Sequence, residues 1–193
     1  MPFCQVMTVE PDTLRLKIDR LFRLLISEVT ERGTGALSGE ELDAVARGCS
    51  AYLALYPVDD AAWKTADGIW SECRRRMDAA GDSCGAGLLG ILRTMYAMDY
   101  SAAPVRPRDA DGVFGEWRPT LPPASAVASP EGLSALVRIL ARRLDDPATL
   151  AEACAALERQ LSLSPDISAA ASLLEGLGAL LMLTEEGVVL NCA

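Results

Sequence analysis

Histidine is absent from this chain, and lysine nearly so: Lys17 and Lys64 stand alone among eighteen cationic residues, the rest being arginine. Without imidazole, the usual general base for a serine or cysteine nucleophile is missing, and so is the commonest metal ligand. The six cysteines (Cys4, Cys49, Cys73, Cys84, Cys154, Cys192) contain no CxxC pair. Zinc sites gather thiolates or imidazoles in close spacing, so no structural metal is expected, and the thiols read as small apolar residues kept reduced. Aromatic residues make up only 5% of the chain. No apolar run reaches eighteen uninterrupted residues, so no membrane span is expected. The opening "MPFCQVMTVEPDTLRLK" has no continuous apolar stretch and no small-residue cleavage site, which leads us to expect no leader and a cytoplasmic, reducing location. A basic balance is missing too. The net charge is −9, and a nucleic-acid partner needs the opposite sign to displace counterions from phosphates.

What fills the sequence is Ala and Leu. Half of the 193 residues are hydrophobic, and such residues lose little side-chain freedom in a helix. The expected fold is all-α, one domain of about seven helices over residues 1–193. Residues 12–32 repeat Leu14, Ile18, Leu21, Leu25 and Val29 at steps of three and four, with Phe22 and Ile26 widening the stripe. Asp12 or Thr13 is the expected cap and Gly33 the stop. Ser38 with Glu41 spells a capping box for a second helix, whose face carries Leu42, Val45, Ala46, Cys49, Leu53 and Tyr56.

A third helix opens near Asp59 or Asp60. Its spacing predicts Trp63, Ala66, Trp70, Cys73 and Met77 inside, with Lys64, Arg74 and Arg75 outside. A fourth begins at Asp82 or Ser83, completing a block over 12–100. The helical period is lost across the connector at 101–129, which holds five prolines and two glycines. Three more helices follow over 130–183. Ser129-Pro130 and Asp146-Pro147 each place a cap before proline at the first helical position. The last segment, "SPDISAAASLLEGLGALLML", is apolar nearly all round, as a helix enclosed by others must be. Glu175, Gly176 and Gly178 interrupt it, and the glycines are expected to admit a close neighbour.

Several short patterns carry potential chemistry. "GAGLLG" (Gly85, Gly87, Gly90) matches a dinucleotide fingerprint in letters only. That fingerprint needs a strand before it and an acid about 20 residues after it, and here an Arg-rich helical segment precedes and the connector follows. The glycines read instead as a tight turn and close packing. Acidic doublets at Glu40-Glu41, Asp59-Asp60 and Asp145-Asp146 fall at helix starts, where carboxylates complement the dipole. Arg74-Arg75-Arg76 is expected on a solvated C-terminal turn. Cys84 near a helix start and a Ser/Lys pairing with Lys17 or Lys64 are the remaining nucleophile options, and both are weaker than their packing or surface roles. No catalytic residue, cofactor or metal is assigned.

The connector supplies the one candidate binding element. "EWRPTLPP" sets Trp117 and Arg118 beside Pro119, Leu121, Pro122 and Pro123, and PxxP spacing occurs at Pro119–Pro122 and again at Pro104–Pro107. Such a segment suits polyproline docking into an aromatic groove, or a tryptophan latch folded back on its own helices. The expected central apolar helix wrapped by amphipathic ones resembles the architecture of Bcl-2-like bundles. In "AWKTADGIW" the Ala66-Asp67 pair is similar to the helical death motif, with Ala62 where that motif has leucine. The resemblance implies a modulator of host or cell-death signalling. The functional expectation is a non-enzymatic module that binds another protein through a helical groove or the Trp117 connector. The alternative is self-assembly, as in a capsid, tegument or scaffold component. Neither reading involves nucleic acid or membrane.

Overall fold

The computed structural model describes residues 10–80 and 129–185, which form six α-helices and one 3-10 turn, with no strand among them. The helices are α1 (Pro11–Arg32), α2 (Gly39–Leu55), α3 (Asp60–Ala80), α4 (Pro130–Arg143), α5 (Pro147–Leu163) and α6 (Ile167–Glu185), and the turn is Thr34–Ala36. The all-helical bundle agrees with the Ala- and Leu-rich composition. The helix expected from Asp82, the GAGLLG segment, Cys84 and the connector through residue 128 lie outside the described residues.

Helix starts follow local side-chain chemistry. Ser38 Oγ accepts from Glu41 N at 3.1 Å while Glu41 Oε2 accepts from Ser38 N at 2.8 Å, which closes the expected capping box. Arg32, in the last turn of α1, adds bonds of 2.8 and 2.9 Å to the same carboxylate, so the end of α1 is tied to the start of α2. Asp59, Ser129, Asp146 and Asp166 each accept from the backbone three residues on, at 2.9, 3.0, 3.0 and 2.7 Å. Each bond satisfies an otherwise orphan N–H. The start of α1 departs from expectation. Its cap position is Glu10, with no side-chain cap bond, because Pro11 already fixes the first helical φ and the helix begins one residue before Asp12.

The core forms around α6, which packs against α1, α2, α4 and α5. Its 18-residue window Ile167–Thr184 has a mean hydropathy of 1.7, long and apolar enough to cross a membrane. In the bundle 72% of that window is buried, so neighbouring helices cover what lipid would otherwise have to cover. Leu14, Ile18, Leu21, Phe22, Leu25 and Val29 of α1 are all buried, as their spacing predicted. Phe22 stacks on Tyr52 of α2 with ring centroids 3.8 Å apart, and the Tyr52 hydroxyl donates to Asp19 Oδ1 at 3.2 Å. Burial of an aliphatic or aromatic side chain of this size contributes about 1.5–3 kcal/mol.

Two glycines set the helix spacing. A Cβ on Gly176 would lie 2.6 Å from both Cys154 Sγ and Val137 Cγ1, so α4 and α5 close onto α6 only because that position is bare. A Cβ on Gly48 would lie 2.8 Å from Leu25 Cδ2. Gly178 is different: its nearest such neighbour is Leu55 Cδ1 at 3.7 Å, an ordinary contact.

Helix α3 corrects two expectations. It packs on α2 and on the 3-10 turn, and its inward residues are Ala62, Ala66, Ile69 and Cys73. Trp63 and Trp70 are only partly buried and flank this seam. Two alanines, an isoleucine and a cysteine fill the seam, and the two indoles pack at its edges. Trp63 Nε1 donates to Pro57 O at 2.8 Å, which satisfies its one polar atom at the helix edge. The arginine triplet does not form the terminal turn, since α3 continues to Ala80 and no basic residue occupies its last turn, although Arg74 and Arg75 are exposed as expected. Arg75 and Arg76 both bond the buried Glu72, and Arg76 Nη2 reaches back to Leu37 O at 2.6 Å. Only Arg74 of the three points to solvent without such a bond.

Candidate functional site: a polar cleft where three helices begin

The first turns of α2, α4 and α6 line a common cleft of about 740 Å³. Each helix contributes residues at helical spacing: Gly39, Asp43 and Arg47 from α2, Glu131, Ser134 and Arg138 from α4, and Ala169 and Ser172 from α6 with Asp166, its capping residue. Steps of three and four keep each set on one face, so the cleft extends about two turns along all three helices. Its wall is mixed. Ala135, Ala169 and Pro130 supply apolar surface between the charged groups.

The charge behind the cleft comes from one residue of the central helix. Glu175 is the sole charged side chain of α6 before its terminal Glu185, and its side chain is 14% exposed. A carboxylate at that depth needs a cation. Arg47 provides it: one guanidinium nitrogen bonds Glu175, and Nε bonds Asp43 Oδ2 at 3.0 Å. With its side chain 12% exposed and held between two carboxylates, Arg47 has its charge matched within the fold.

Arg138 is not. It is half-buried on the cleft wall and makes no hydrogen bond or ion pair among the described residues. Burial lowers its pKa, and repulsion from Arg47 and Arg142 lowers it further, against partial attraction from Glu175 and Asp43. Arginine keeps its proton under such pressure. The result is a partly desolvated cation with forked donors unused. At the rim, Glu40 and Glu131 are exposed and likewise form no ion pair among the described residues.

Groups suited to covalent chemistry lie elsewhere. Cys49, Cys73 and Cys154 are buried free thiols. Burial pushes Cys49 and Cys154 up to about 12 and raises Cys73. Thiolate is scarce at any such site, and with it nucleophilicity. In the cleft, the Ser172 hydroxyl is spent on Ser168 O at 3.0 Å. No group of three metal-ligating side chains occurs among the described residues. What the cleft offers is recognition: a forked cation, two free rim acids and apolar ground between them.

Of the residues expected to bind a partner, Trp117, Arg118, Pro119, Leu121, Pro122 and Pro123 all lie outside the described residues. The face of α3 similar to a death motif turns Ala62 and Ala66 into the core. The cleft itself was missed. Its signal was present in Glu175, a lone acid in an otherwise apolar enclosed helix, which demands a cation from a neighbour. No family model, no curated protein and no solved structure matches the chain.

Proposed function

We propose that this protein is a non-enzymatic interaction module that receives a segment of a partner protein in the cleft between α2, α4 and α6. The observation that carries the reading is Arg138, a half-buried guanidinium with no acceptor of its own on the wall of an open cleft. An unpaired, partly desolvated charge costs stability in the free protein, and that cost is recovered when a partner supplies the acceptor. The buried, high-pKa thiols and the absence of histidine favour binding over catalysis. A role in host or cell-death signalling belongs to this proposal as one setting for such a module.

The test is capture of a partner from cytosolic extract by the full chain, compared with Ala135→Trp. Ala135 is exposed and lines the cleft, so an indole there fills the space without entering the core. The expected result is a partner recovered by the native chain and lost by Ala135→Trp at unchanged thermal midpoint. A partner that Ala135→Trp retains but Trp117→Ala loses moves the site to the connector.

A further inference from the structure

We infer that the cleft selects a partner segment bearing one carboxylate side chain flanked by basic residues, the carboxylate docking on Arg138 and the basic residues on Glu40 and Glu131. The inference rests on the proposed interaction role and specifies the chemistry of the partner. Charge complementarity carries it. Arg47 is neutralised twice over, by Asp43 and by Glu175, which leaves Arg138 as the one arginine lining the cleft without a carboxylate partner among the described residues. Its planar fork matches a carboxylate in two parallel bonds, and partial burial strengthens them over their value in water.

The surrounding acids decide against other anions. Asp43 and Asp166 line the same cleft, and Glu40 and Glu131 stand at its mouth on two different helices. A phosphate dianion or a nucleic-acid backbone meets four carboxylates around a single free cation. A single carboxylate with cationic neighbours instead satisfies both the wall and the rim. Helix N-termini contribute little, since Ser38, Ser129 and Asp166 already cap them and Pro130 has no N–H to give. The apolar ground of Ala135 and Ala169 accommodates small side chains between the charged contacts.

The experiment titrates the full chain with a capped alanine-based peptide carrying one central Glu and Lys four residues to either side, read by backbone amide shifts. Three further peptides replace Glu with Gln, Glu with phosphoserine, or both Lys with Glu. The expected result is shifts centred on Ser134, Ala135, Arg138 and Ser168, with affinity falling about tenfold when Glu becomes Gln. Arg138→Gln, with an amide spectrum otherwise native, is expected to lose the same factor, and Arg138→Lys to fall between, keeping charge without the fork. Equal binding of the Gln peptide, tighter binding of the phosphoserine peptide, or no shift in the cleft overturns the inference. If the partner captured above is lost with Ala135→Trp yet indifferent to Arg138→Gln, the recognition chemistry fails while the cleft stands. If nothing cleft-dependent is captured, the underlying reading fails.

Discussion

Gly176 and Gly178 lie two residues apart on the same helix, yet their substitution by alanine is expected to have opposite signs. At Gly176 the added methyl meets sulfur and a β-branched methyl at 2.6 Å, neither on a long flexible arm. Overpacking of this kind costs about 1–3 kcal/mol. At Gly178 the nearest such atom is 3.7 Å away, so alanine gains helix propensity of up to about 1 kcal/mol. Urea midpoints of the two variants check this: Gly176→Ala should fall and Gly178→Ala should hold or rise.

The two cleft arginines make a second contrast. Arg47→Met strands Glu175 at 14% exposure without its cation and is expected to cost about 3–5 kcal/mol. Arg138→Met removes a charge that has no partner and is repelled by Arg47, so its midpoint should match or exceed the native one. A large loss on Arg138→Met would mean that the fold itself uses this guanidinium.

At the scale of elements, α3 shows where sequence pattern was readable and where it was not. Its existence, its Asp59 cap and its exposed Lys64 and Arg74 followed from composition and spacing. Its inward face followed in part: Ala66 and Cys73 are buried as expected, whereas Ala62 and Ile69 are buried in place of Trp63 and Trp70. Spacing of three and four fits Trp63–Trp70 and Ala62–Ile69 equally well, and hydrophobic bulk argued for the tryptophans. Packing against α2 and the 3-10 turn took the Ala62–Ile69 face, and which face meets them is a property of the assembled helices rather than of α3 alone.

Glu72 escaped notice for a related reason: it is 7% exposed and bonded by Arg76, which also reaches Leu37 O, a contact outside any local window. Hydrogen bonds from Arg75 and then Arg76 pull its pKa down to about 2, against burial, which raises it. A depressed folded pKa means that the carboxylate's stabilisation is fully present above the unfolded value near 4.5 and drains away as pH falls toward 2. Glu72→Gln should therefore be less stable than the native chain at pH 6, and the gap should close across pH 4.5 to 2. Hydrogen exchange reports it locally, with α3 amides opening faster in the variant at neutral pH. A gap that stays constant with pH would remove the ionised carboxylate from the account.

For the whole molecule, the enclosed α6 was the most legible feature, because a helix apolar on every side must be covered all round, and here its neighbours bury 72% of the apolar window. The same helix carries the one acid that organises the cleft. The partners of Glu175 were not legible, since pairing α2, α4 and α6 at one end is a property of chain topology and not of any local window. The connector around Trp117, to which the sequence pointed for binding, stands outside the described residues, and the proposal accordingly rests on the cleft.

Site-specific photocrosslinking tests that proposal most directly. A benzophenone side chain at Ser134, inside the cleft, is compared with one at Leu16, exposed on α1, in extract of the protein's own cells. Our account predicts a discrete adduct with one partner from position 134 and none from position 16. Adducts from position 16 alone, or a second copy of this chain captured from both positions, would contradict it.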